Sequence, residues 1–215
     1  MADPNKIEEL SIRAADGDQE ALRGMADELE TCRDGEMQTL DSEVTQTLCD
    51  SLELVCDAVD KTDDLSRQLF LQMARIGFDS MLLRDRLADC AREVFSDYLD
   101  PAGMLFAVGI HNQGAPVNEI PVKWRLFQLL AEGVWCVHPL HGCGKISELD
   151  GLSNEIHVDC GGGTQVFPLS VFLDSFHVIL PESAVSGVLD DCSSWKTFSE
   201  AGLEAVREEF LASLV

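Results

Sequence analysis

Six side chains between positions 136 and 160 could bind a metal or act as nucleophile and base: Cys136, His138, His141, Cys143, His157 and Cys160. All are zinc-competent ligand types. The C-x-H-x2-H-x-C order at 136–143 contains no C-x2-C pair, and a strand would hold Cys136 and His138 on one face while the turn carries the others. His138 and His141 therefore read as turn formers and the cysteines as small packed residues. The expectation is that Cys136, His138, His141 and Cys143 hold no metal and that the chain carries no cofactor. A Cys143–His157 nucleophilic pair would need a thiol of lowered pKa, and no family signature surrounds either residue. The three glycines at 161–163 are followed by Thr164-Gln165, without the Lys-Ser or Lys-Thr of a phosphate loop. The carboxylates are scattered over helix faces. No catalytic residue is assigned, and the chain is expected not to be an enzyme.

These residues sit in a stretch, 123–181, where the apolar period changes from helical to two and turn residues crowd together. Strands are expected at 134–138, 145–149, 155–160, 164–167 and 176–180, with a single helical turn at 170–175. Gly133 reads as a helix stop. Pro139, His141, Gly142 and Gly144 shape the first turn, where at least one residue needs positive φ. Asp150-Gly151 is a hairpin dipeptide. Five short strands on tight turns point to a small closed barrel of SH3 or Tudor type.

The order Gly-x-Trp-x-Val-His-Pro-x-His-Gly-x-Gly-x-Ile at 133–146 resembles the RNA-polymerase-interacting module of CarD-type regulators and the transcription-repair coupling factor. Val166-Phe167-Pro168 is similar to the Val-Pro ending of a later strand in that module. The approach at 105–133 and the run at 179–198 resemble the N-terminal extension of long Gre-type transcript cleavage factors. The resemblance implies a transcription-associated protein that docks on bacterial RNA polymerase through a Tudor-like barrel. It does not carry over cleavage chemistry, because no heptad hairpin with an acidic tip follows. Translocase motifs and a basic DNA-facing helical domain are missing too, and Gln165 and Val166 stand where members often place a basic residue. Docking is expected by edge-strand addition. The residues expected to meet the partner are Glu155, His157, Asp159, Gln165 and Phe167.

The rest of the chain is acidic and helical. Net charge is −24 over 215 residues with 46% hydrophobic content, which suits a folded protein that repels phosphate backbones and favours a basic protein partner. Eight cysteines accompany a start without basic or long apolar segments, so a cytoplasmic location with reduced thiols is expected. No apolar run is long enough for a membrane span. One-sided helices are expected from Pro4, after Asp18, after Asp41 or Ser42, after Thr62-Asp63-Asp64, after Asp79 or Ser80, from Ala102 towards Ile110, and at 121–132. A last helix is expected after Ser199, with Trp195 and Phe198 fixing its entry. The predicted class is α+β: an acidic helical domain or solenoid at 1–118, a connecting helix with the SH3/Tudor-like barrel at 119–180, and a C-terminal helical segment at 181–215. The alternative to polymerase docking is a helical scaffold or chaperone-like adaptor whose acidic surface binds a basic client.

Overall fold

The helix starts follow from capping chemistry. In the computed structural model, which describes residues 3–31, 42–58, 63–160, 162–183, Ser186, Leu189 and Glu208, short polar side chains meet orphan N–H groups in the first turns of five helices. Asp3 caps α1 (Pro4–Ala15), Asp18 caps α2 (Gln19–Glu30), Asp63 caps α4 (Asp64–Arg75) and Ser80 caps α5 (Met81–Val94). Helix α3 (Ser42–Ala58) begins at the expected serine. The expected final helix, with Trp195, Phe198 and Ser199, lies outside the described residues, as does the break at Asp34-Gly35.

The chain forms two units, Met1–Ser96 with Gly109–Pro121, and Asp97–Val108 with Val122–Val215. In the first, α1 packs on α2 and α3, α4 on α2 and α5, and a short 3-10 turn (Val117–Glu119) on α4. Its apolar stripes form the core: Ile7, Met25, Leu29, Leu48, Leu69, Met73, Leu83 and Leu87 are buried. Arg84 shares that buried face (8% exposed), and its guanidinium binds Asp79 through both carboxylate oxygens at 2.7 and 2.8 Å. It also donates to the carbonyls of Gly109 (2.9 Å), Ile110 (3.3 Å), Asn112 (3.2 Å) and Ala115 (3.1 Å).

The second unit is α+β. Helix α6 (Pro101–Ala107), capped by Asp100, packs on α8 (Leu169–Ser175). The five strands of the described residues all fall within the expected stretch: β1 (Trp135–His138), β2 (Gly142–Asp150), β3 (Glu155–Asp159), β4 (Thr164–Pro168) and β5 (His177–Val178). They form one antiparallel sheet in the order β4-β3-β2-β1-β5. The expected closure into a barrel is not seen among the described residues. Strands β4 and β5 are the two edges, and β5 offers only two residues, both paired to β1.

Three local expectations are corrected. The helix at 121–132 is α7 (Ile120–Gln128), which stops short of Gly133. Gly133 has φ 87° and instead donates its N–H to Ile146 O at 2.7 Å, opening the sheet. Asp150-Gly151 forms no two-residue hairpin. The loop between the paired Asp150 and Glu155 holds four residues, and its positive φ (54°) belongs to Asn154. Finally, β2 carries a bulge between Ile146 and Glu148, where Ser147 is the extra residue. This keeps both Ile146 and Leu149 on the buried face although they are three apart, against a strict period of two.

The β2–β3 loop is held from α6. Asn154 Nδ2 donates to Asp100 Oδ2 at 2.6 Å, and Tyr98 Oη donates to Asn154 Oδ1 at 3.2 Å. Tyr98 also meets Phe127 edge-on, with ring centroids 5.1 Å apart. Burial pushes the Tyr98 hydroxyl up to about 12, with the Asp100 and Asp150 charges adding to it. Asn154→Ala should remove both bonds and favour a less compliant αL residue, costing about 1–2 kcal/mol. Faster hydrogen exchange at the ends of β2 and β3, with the helical unit unaffected, is the expected readout.

Candidate docking face of the sheet

The ladder registers sort the residues with chemistry onto two faces. Cys136 pairs with Gly144 and Val178, Ile146 with Val158, and Ile156 with Leu149 and Phe167, so these residues share the inner face. Phe172, Phe176 and Phe167 close it from α8 and beyond: Phe172 and Phe176 stack at 4.3 Å, and Phe167 meets Phe176 edge-on at 4.8 Å. Trp135, Val137 and Cys143 lie on the outer face, where Ile179 and Leu189 join them in one apolar cluster. β1 is therefore buried on both sides, and the rest of the outer face is not.

This split separates the candidate ligands of β1 and β2. Cys136 and His138 occupy one face of β1, whereas Cys143 pairs with Val137 on the other. Among the described residues no group of three or more His, Cys, Asp or Glu is placed to hold a metal ion. Burial pushes the Cys136 thiol strongly up and the Cys143 thiol up to about 12, and burial followed by Asp159 raises Cys160. Such thiols stay protonated and are poor nucleophiles near neutral pH.

Outward from β1, three cross-strand rows cover the open part of the outer face. They read Lys145–Asp159–Thr164, Glu148–His157–Val166 and Asp150–Glu155–Pro168. Four of the nine are carboxylates. Lys145, the one lysine or arginine among them, lies with its ammonium 5.0 Å from the Trp135 ring. His157 Nδ1 is 3.5 Å from Glu148 Oε2, and Ser147 Oγ donates to the His157 carbonyl at 3.2 Å. Asp150 is committed to its own loop. Ser153 Oγ, then the N–H groups of Leu152 and Ser153, hold its carboxyl below the ordinary range. Val166 is half exposed (48%), an apolar side chain on the free edge beside these acids.

The five residues expected to meet a partner are thus brought to neighbouring strands but not to one face. Glu155, His157 and Asp159 share the outer face; Gln165 and Phe167 are opposite Val158 and Ile156 and share the inner one. Phe167 is used in packing against Phe176 and His141, at 4.8 and 5.8 Å. Two outer-face residues were missed, Glu148 and, as an individual contact, Val166. Counting two residues at a time along β4 from Asp159's partner Thr164 would have found Val166; the bulge hid Glu148.

Of the expected turn formers, Pro139 and His141 lie in the β1–β2 turn, Gly142 pairs with His138 where β2 begins, and Gly144 lies within β2 opposite Cys136. Gly142 takes the positive φ, 77°. Pro139 and Leu140 are exposed at its tip, and His141 reaches back to His138 with ring centroids 4.6 Å apart. Gly144 has ordinary φ but no room for a side chain. A Cβ there would overlap Val158 Cγ1 and stand 3.3 Å from both the Asp159 carbonyl oxygen and Cys160 Sγ.

The first unit offers a separate cleft of about 340 Å³, lined by Asp79, Ser80, Met81, Arg84, Ile110 and His111 among others. Its buried cation is already engaged with Asp79 and four carbonyls, which makes Arg84 a fastening and not a ligand-binding group. Within the described residues no helix is long and apolar enough to cross a membrane. Comparisons with protein-family models, curated proteins and solved structures find no match to this chain.

Proposed function

We propose that this is a non-enzymatic interaction protein that docks on bacterial RNA polymerase, or a polymerase-associated protein, through the free edge and outer face of its sheet. The observation that carries the reading is the β4 edge. It is unpaired among the described ladders, exposed from Thr164 to Val166, and flanked by an acidic outer face. An extended segment added to β4 would gain main-chain hydrogen bonds, and long basic side chains at every second position would reach across β4 towards Glu155 and Asp159 of β3. The residues at 133–146 that resemble the polymerase-interacting module form the β1–β2 hairpin of the same sheet. Strand order β5-β1-β2-β3-β4 with a short helix between β4 and β5 supports an SH3/Tudor-like reading of the sheet.

Binding of the full chain to purified bacterial RNA polymerase tests this. His157→Lys and Val166→Lys, which set cations against the partner's basic side chains, should leave the circular dichroism spectrum unchanged and weaken binding by about tenfold, equivalent to about 1.4 kcal/mol. Raising salt should reduce affinity only in part, since strand pairing is not screened over the Debye length of about 8–10 Å that governs exposed charges. If salt abolishes binding and neither substitution matters, the acidic helices are the binding surface and the basic-client scaffold replaces this reading.

A further inference from the structure

We propose that the β1–β2 turn is a proton-operated catch: a proton from solvent taken up at His138 Nδ1 releases the turn that carries Leu140 and His141. His138 is the last residue of β1, and its Nδ1 accepts the N–H of Leu140 at 3.0 Å and that of His141 at 3.2 Å. Both donations need the Nδ1 lone pair, so the ring proton sits on Nε2. The ring lies between Phe176 (4.8 Å) and His141 (4.6 Å), and the two amide donors select Nδ1 as the ring atom that faces the turn. A protonated Nδ1 would point an N–H at two N–H groups, turning two attractive contacts into repulsive ones at once.

The turn depends on this side chain. Pro139 has no N–H to offer, Gly142 is in the left-handed region, and Leu140 is 87% exposed and so lacks packing of its own. Because the tip is already at the surface, water can satisfy the freed amides, and the expected response is local opening. The titratable groups that bear on His138 are His141 of its own turn and His177 of β5; its ladder partner Gly142 and its neighbour Phe176 bring no charge. Burial first, then those two histidines, lower its proton affinity below the ordinary value of 6.5. The neutral form is therefore the folded one. Nothing changes above pH 6.5, and the turn's stability falls as pH drops below it, by at most about tenfold in the opening equilibrium per pH unit.

The device does not depend on what the sheet binds. Its test is an NMR titration of the full chain between pH 8 and pH 5, following the His138 ring nitrogens and the Leu140 and His141 amides. At high pH, Nδ1 should be unprotonated and Nε2 protonated. On acidification His138 should titrate below 6.5, and both amides should shift with the same midpoint. His138→Asn places an oxygen acceptor before the same two N–H groups, an Asx-type turn, with nothing to titrate. In that variant the two amides should stay still across the range. The proposal is overturned if His138 titrates at or above 6.5, if its titration leaves the amides unmoved, or if they move equally in His138→Asn. The wild-type titration decides the first two points even if that variant fails to fold.

Discussion

Arg84→Met should lower the stability of the helical unit by about 3–5 kcal/mol, the range for removing one partner of a buried charged network. The side chain is 8% exposed and its loss strands four carbonyls, those of Gly109, Ile110, Asn112 and Ala115, in a segment with few other fastenings. Met matches the volume, so the loss isolates the hydrogen bonds from packing. Arg84→Lys should recover less than half of it. An ammonium has three donors at one point, whereas the guanidinium fork spans Asp79 on one side and the 109–115 loop on the other. Denaturant unfolding gives the magnitude. Hydrogen exchange should place the first loss of protection at 109–120. A change below about 1 kcal/mol, typical of an exposed ion pair, would show that the network is not coupled to folding.

Gly144→Ala should cost the sheet about 2–3 kcal/mol, more than Gly142→Asn, two residues away. The two glycines are needed for different reasons. At Gly144 the added methyl would overlap Val158 Cγ1, with the Asp159 carbonyl and Cys160 Sγ at 3.3 Å, so strand β3 itself must shift. Rotation of a flexible side chain cannot relieve a clash with backbone and a β-branched residue. At Gly142 there is open space, and the constraint is φ 77°. Gly142→Asn should be tolerated within about 1 kcal/mol, because Asn visits the left-handed region readily, while Gly142→Val should cost about 1–3 kcal/mol and loosen the turn. The decisive comparison is the order of effects. Asn should be mild at 142 and worse than Ala at 144. Equal effects of Asn at the two sites would contradict the distinction. Protection of the β2 and β3 amides reads it out.

Much of this architecture is legible in the residues because it is local. A helix start needs only a short polar acceptor and a few free N–H groups, so Asp18, Asp63, Ser80 and the Asp100-Pro101 pair announce their helices within four residues of chain. The change of apolar period at 134 and the crowding of glycines likewise mark where strands begin, and the five strands fall where that pattern puts them. What a side chain faces across the sheet is a different kind of fact. A single bulge at Ser147 shifts every later residue of β2 relative to its partner, and no propensity in Ile-Ser-Glu-Leu requires it. That register, which puts Ile146 and Leu149 on the same face, decides that Glu148 and not Ser147 stands opposite His157.

Glycine shows the same division. Gly142 and Gly151 look alike in sequence, each in a run of turn residues. Gly142 does take the left-handed conformation. Gly151 does not; it is small because a Cβ would stand 3.3 Å from the Tyr98 ring, more than fifty positions back in the chain. Arg84 is the clearest case. On a helical wheel it is a charged residue beside the apolar stripe of Leu83 and Leu87, and the bland expectation is a solvated face. It is buried because a loop twenty-five to thirty-one residues later presents four carbonyls to it, an arrangement set by the return of the chain and not by any neighbour in sequence.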